Sequence, residues 1–530
     1  MKKHLLAALS LLIGVGSFAQ NTPVNTVLLG QRTYTADLND VWGYEDGNGN
    51  EYALVGVRNG FSVVDVTVPS NPVEQFFIPG SNSTWRDIKT YDHYAYVMHD
   101  FSSSPSNNGL LIVDLDSMTN PTFQFIYPKA IINTVEDSAT RSHNLWIDEN
   151  GVLYIFGADV GLGGALMFDL TNDPWNPSFL GMYNSSYLHD GFARGDTLWG
   201  AALGNGMVVS DVTNKSQPAF RAQWNTPSTF AHNCWPSDDN QTIFTTDEVS
   251  SGYIAAYDVS DFSNVSETDR FRVVPNNQTI PHNAHVLGNF VVTSYYTYGL
   301  HILDAQDPTW LIEVGSYDSS PLSGDGYDGA WGAYPYLPSG NILITDIQEG
   351  LFIFEANYTP AARIYAFVED SVTGLPLPAA KVYLQADNDS VALDPVDAGF
   401  RRAKIGSFGD SAFVSLANYH PIATTFNYQG GVVDTVVFKM LPIDFSVEEG
   451  DVNALSLAPN PAKDFTLITA PRALADGDVR IMDMNGKLLY TEAWTSNSNT
   501  HKVALNLPEG LYIVEVQSGQ TTWTHKLVKH

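Results

Sequence analysis

The 530-residue chain has a single cysteine, Cys234, so no disulfide can form within it and stability must come from packed cores. Cations are scarce as well: 26 Lys and Arg stand against 58 Asp and Glu, a formal charge of −32. A surface of that sign repels phosphate backbones and argues against nucleic acid as a partner. Beyond the first twenty residues no run is apolar enough to cross a bilayer as a helix. Helical periodicity is missing too, and so are a Gly-x-Ser-x-Gly elbow, a His-Glu-x-x-His pair and a phosphate loop. No complete catalytic signature stands in the sequence.

The start of the chain reads as a secretory signal over residues 1–19. Lys2 and Lys3 supply the positive end, Leu5 to Val15 a short apolar run, and Ser17-Phe18-Ala19 a small-residue cleavage site. With no cysteine near that site, a lipoprotein anchor is excluded.

What is abundant is one repeated strand. Gly60–Asp65 (GFSVVD) recurs as Gly109–Asp114, Gly164–Asp169, Gly206–Asp211, Gly252–Asp258, Gly299–Asp304 and Gly350–Glu355. The closing acids are 42 to 55 residues apart, and each unit but the last holds four short β-branched and aromatic strands. Such a period with strands and no helix predicts propeller blades. The last unit lacks a fourth strand, while residues 26–33 form an orphan strand ahead of the first. The sequence therefore predicts an all-β protein whose residues 20–360 form a seven-bladed β-propeller closed by its N-terminal strand. The acids that end the third strands are expected to cap turns.

Two small β-sandwich modules are expected to follow. Residues 361–443 open with DSVTGLPLPAAKVYL and resemble carboxypeptidase-regulatory-like or immunoglobulin-like sandwiches, which usually serve as spacers. An acidic linker, 444–454, leads to residues 455–530, which carry Pro-Asn-Pro at 459–461, Asn485-Gly486-Lys487, Leu507-Pro-Glu-Gly-Leu-Tyr512 and a Lys-Leu-Val ending. That combination closely resembles the type IX secretion system C-terminal sorting domain of Bacteroidota. The resemblance implies handling by the type IX machinery, export across the outer membrane, removal of the tail, and attachment of the rest to the outer-membrane surface. The propeller itself, through segments such as Ser142-His-Asn-Leu-Trp146, His189-Asp190, Pro281-His-Asn283 and GAYPYLPSG at 332–340, resembles the LVIVD-repeat, choice-of-anchor B proteins. That resemblance implies fold and location but no reaction.

Aligning the repeats puts a polar dipeptide just before each first strand, and its second member is Asp40, Asp87, Asn144, Asp190, Asn233, Asn283 or Asp328. First strands line a propeller's channel, so these seven are expected to ring one mouth. They serve either as strand ties or as ligands. Four of the 13 histidines, His143, His189, His232 and His282, fall at the preceding step in consecutive units. Converging imidazoles are transition-metal ligands, so zinc, copper or iron is the expected cofactor class; the other reading ties each ring to backbone. Asp247 and Glu248, with Asp100, Asp159 and Asp346, end second strands and are possible further ligands or bases. Asp46-Gly-Asn-Gly-Asn-Glu51 spaces oxygens as calcium loops do, but also reads as a hairpin turn. Two functions stay open: a surface binding module for a glycan or protein ligand, and a metal-dependent enzyme using the histidine mouth.

Overall fold

The computed structural model describes residues 22–100, 107–132, 134–273, 278–443 and 454–530; the expected signal segment and nearly all of the acidic linker lie outside them. Among the described residues every regular element is a strand, and no helix is long and apolar enough to cross a membrane. Seven four-stranded antiparallel sheets follow one another between Thr26 and Ala356. The first runs Leu38–Glu45, Glu51–Val57, Gly60–Asp65, Val73–Pro79, and the next five repeat that order. In the seventh sheet Ala330–Tyr334, Ile342–Asp346 and Gly350–Ala356 are completed by Thr26–Arg32. The pairing runs from Thr26 opposite Ala356 to Arg32 opposite Leu351, with a bulge between Leu28 and Gly30. Gly30 permits that bulge, since a Cβ there would lie 1.9 Å from the Pro69 carbonyl oxygen. First strands of successive sheets neighbour one another and the seventh meets the first, which closes the ring.

The blades form because second and third strands are apolar on both faces. Glu51–Val57, Val152–Phe156 and Leu110–Leu111-Ile112-Val113 are buried throughout, as sheets stacked on both sides require. Six of the seven closing acids then stop their strands; Glu355 does not, since its strand runs on to Ala356. Asp65, Asp114, Asp169, Asp211, Asp258 and Asp304 each accept the backbone N–H two residues on, at 2.8–2.9 Å. These side chains replace a missing backbone acceptor in the turn, which accounts for their recurrence. The longest repeat spacing has its own cause: a two-stranded hairpin, Lys129–Ile132 with Val135–Ser138, is inserted between the second and third blades.

Packing divides the chain into two compact units. One reaches Phe367 and includes 382–413 and 423–438; it holds the propeller and two further pairings, Ala361–Phe367 with Gly399–Ile405 and Val382–Leu384 with Asp389–Val391. The other comprises 368–381, 414–422 and 439–530. Its C-terminal strands form a three-stranded and a four-stranded sheet. Ile468 and Val503 from one and Val479, Ile481, Val514 and Val516 from the other share a single core, so this part is a β-sandwich.

Candidate functional site: a histidine arc at the channel mouth

The Asp and Asn positions lie at first strands and tie blade to blade. Asp87 Oδ2 accepts the Leu145 N–H at 2.6 Å, Asn144 Oδ1 the Gly191 N–H at 3.4 Å, and Asn233 Oδ1 the Ala284 N–H at 3.1 Å. Asn233 Nδ2 also donates to Asp190 Oδ2 at 3.0 Å. Lys89, buried in the channel, donates to Asp87 at 2.6 Å and lies 3.7 Å from Asp40. Burial pushes the Asp40 carboxyl well up, an effect Lys89 partly offsets. The Asn283 side-chain oxygen is buried with no hydrogen-bond partner.

Asp328 does not hold the seventh position. A bulge in that blade pairs Ala330 with Asp346 and then Gly332 with Thr345, as Ala231 pairs with Asp247 and Asn233 with Thr246 in the fifth. Gly332 therefore stands where the ring residue was expected, and Trp331 where the histidine would be. Asp40 explains the glycine, because a Cβ on Gly332 would lie 2.7 Å from Asp40 Oδ1. Asp328 is exposed and accepts a hydrogen bond from Gln348 Nε2 at 2.6 Å.

One step before the ring residues the four histidines form an arc. The centroid of His143 lies 3.7 Å from His189, His189 4.6 Å from His232, and His232 4.7 Å from His282. Three are oriented through Nδ1: His143 to Asp100 at 2.9 Å, His189 to Asp190 at 3.1 Å, and His282 donating to the Trp331 carbonyl at 2.6 Å. Such outer partners fix tautomer and ring orientation, as they do around metal-bound imidazoles. Burial pushes His232 well below its usual value and His282 down to about 4, so both are neutral and able to donate a lone pair near pH 7. Burial alone would raise Asp190, yet His232 first and then His189 hold it below the usual carboxylate range.

Of the two acids singled out in the fifth blade, one reaches the arc. Glu248 lies 3.4 Å from His232 Nε2 and 3.8 Å from His282 Nε2, and accepts the Tyr296 hydroxyl at 2.5 Å. Burial raises it to about 7. Asp247 turns the other way and accepts the Ser228 N–H at 2.6 Å, so it is not a ligand candidate. Adjacent residues leaving a strand point to opposite sides, which separates them. Asp100 enters as a partner of His143, Asp159 binds the Thr140 N–H at 2.9 Å, and Asp346 accepts from Ser319 at 2.9 Å.

Above the arc opens a cavity of about 540 Å³ whose walls include Trp85, Tyr187, Tyr296, Tyr327 and Trp331 beside His143, His189 and Glu248. Trp85, Tyr187 and Tyr296 come from loops and carried no repeat signal, Tyr327 carried one only through the displaced dipeptide Tyr327-Asp328, and Trp331 is hidden by the bulge. Elsewhere the sequence patterns are structural. Asp46 closes its own turn by accepting the Asn48 and Asn50 N–H groups at 2.9 Å, and buried Cys234 has its thiol pushed up by burial.

Below the arc, His285 is buried 4.9 Å from the Trp235 ring, with Nδ1 unbonded. Burial, then Lys89, lowers it to about 3 from an ordinary 6.5. Its contribution is present above pH 6.5 and is lost as pH falls toward 3, reaching about 2–3 kcal/mol by pH 4.5. His285→Phe is therefore expected to flatten the acid limb of a plot of Tm against pH. Parallel limbs for variant and parent would refute the assignment.

The fold and its site define a class, a repeat-built all-β propeller with a polar channel mouth. More particularly, residues 46–78, 84–128, 198–226 and 282–319 match the LVIVD repeat, and 456–530 match the secretion system C-terminal sorting domain. The chain thus carries LVIVD repeats within its propeller and a secretion sorting tail, and the tail indicates a secreted, cell-surface protein. Among solved structures it is similar to the WD40 repeats of RRP9, at 9% identity and TM-score 0.44 over 64% of this chain and 99% of that one. The structure of U3-55K is similar at 9% identity and TM-score 0.43, covering 63% and 99%. No curated protein matches the sequence.

Proposed function

We propose that the protein is a surface-presented binding module that holds a transition metal in its histidine arc and receives an extracellular ligand in the cavity above it. The observation that carries this reading is the convergence of His143, His189, His232 and Asp190, each offering a ligand atom within 4.8 Å of the others. A purely structural role is met at the neighbouring ring by Asp and Asn, so four imidazoles in four blades require another reason. Zinc, copper and iron all accept imidazole and carboxylate donors. The aromatic walls fit a glycan or a peptide side chain, stacked flat and anchored by the metal.

The test strips the purified full-length chain with chelator, reloads it with zinc or copper, and measures retained metal. His189→Ala with His232→Ala is expected to abolish retention while circular dichroism stays native. Unchanged metal content in that variant would leave only metal-free binding. A second reading, a metal-dependent enzyme, is favoured by Glu248, which near pH 7 can take or give a proton at the cavity wall. Turnover of an added ligand by the metal-loaded chain, lost when the metal is stripped and restored on reloading, would carry it.

Processing follows from the tail. Released surface protein is expected to end near residues 445–455 by intact-mass spectrometry. Recovery of His530 in the surface fraction would count against removal.

A further inference from the structure

We propose that the arc holds two divalent transition-metal ions, with His232 between them; this rests on the metal reading above and extends it. The candidate ligands form two sets, His143 with His189, Asp190 and His232, and His232 with Glu248 and His282. His232 alone belongs to both. Metal–nitrogen bonds of about 2.0–2.1 Å keep any two nitrogens on one ion within about 4.2 Å. Among the described residues no set of ligand atoms within 4.8 Å of one another contains both His143 and His282, so one ion does not gather all four rings.

His232 faces both halves. Its side chain is 2% exposed, its Nδ1 has no hydrogen-bond partner and lies 3.9 Å from Asp190, and its Nε2 lies 3.4 Å from Glu248. Each half also has one carboxylate, so each dication meets one anion rather than competing for a shared one. The first half offers four donors and is closed. The second offers three; both halves border the large cavity, through His143 and His189 and through Glu248, but only the second keeps a position open to an incoming ligand. His282 is set for this task, because its Nδ1–H is taken by the Trp331 carbonyl and Nε2 is left for metal. When both nitrogens of His232 are coordinated, its remaining N–H proton leaves to solvent.

The test counts ions on the full-length chain in a His93→Ala background, which removes the separate, partly buried His93, Asp114 and Asp116 cluster from the tally. Zinc titration followed by elemental analysis is expected to give two ions per chain. H143A with H189A should leave one, and H282A with E248Q should leave one. One ion in the parent overturns the two-ion arrangement and leaves the metal reading standing; none overturns both. Where a variant misfolds by circular dichroism, the parent loaded with copper decides. A spin-coupled pair depresses the signal of isolated cupric ions in electron paramagnetic resonance, whereas an undiminished signal for two equivalents overturns the bridge.

Discussion

A chain that begins at Tyr34, lacking the strand Thr26–Arg32, is expected to melt on the order of 10 °C below the parent and to self-associate. The strand completes the seventh blade, but it also ties that blade to its neighbours. Val24 exchanges two backbone hydrogen bonds of 2.9 Å with Ser316, Asn25 Nδ2 donates to the Val314 carbonyl at 2.7 Å, and Thr26 Oγ1 to the Ser316 carbonyl at 2.6 Å. On the other side Arg32 pairs with Glu74 at 3.1 Å. Its removal also uncovers the core around Phe352 and Phe354, against which Leu28 packs. Half a dozen lost hydrogen bonds at about 1 kcal/mol each exceed what a marginal domain spares. The freed edge of Gly350–Ala356 would be a template for a second chain. Differential scanning calorimetry and size-exclusion chromatography check both effects. A monomeric truncated chain with the parent's Tm would mean that ring closure does not depend on this strand.

That strand was readable from the sequence because a blade short of one strand and an orphan strand imply each other. The turn acids were readable for a similar reason, since one side chain does one local job six times. Periodicity carries such features. It fails where a blade departs from the average. In the seventh, the bulge between Ala330 and Gly332 shifts the frame, so Tyr327-Asp328 matches the dipeptide pattern while Trp331-Gly332 occupies the place. Aligning Asp346 with Asp247 instead of the dipeptides would have revealed this. The histidines were visible as a repeat position, yet their partners were not. Tyr296 reaches the arc from a loop that holds no period, Asp100 was visible only as an acid ending a second strand, and Trp331 was hidden by the bulge. Glu248 and Asp247 could not be separated without knowing which way the chain turns after the strand.

The buried ion pair between Asp304 and Arg363 carries the largest single-residue effect expected in the propeller-bearing unit. Arg363 is 1% exposed, and its guanidinium donates to Asp304 Oδ1 at 3.1 Å, the Asp304 carbonyl at 2.9 Å and the Trp310 carbonyl at 3.0–3.2 Å. Asp304 Oδ2 accepts the Ala361 N–H at 2.6 Å while Oδ1 takes the Gln306 N–H at 2.9 Å. Asp304 thus caps its turn as its five counterparts do and, in addition, neutralises a cation with no access to water. Asp304→Asn keeps an acceptor for the turn and removes the charge, which strands the guanidinium. Leaving one buried charge uncompensated typically costs about 3–5 kcal/mol, against about 0–1 kcal/mol for an exposed pair. Asp65→Asn, at the matching turn of the first blade, isolates the turn term and should move the urea midpoint little. Replacing both members, Asp304→Asn with Arg363→Met, is expected to recover much of the loss, because it is the unpaired charge and not the missing attraction that destabilises. If Asp304→Asn and Asp65→Asn shift the midpoint equally, the pair contributes nothing beyond its turn.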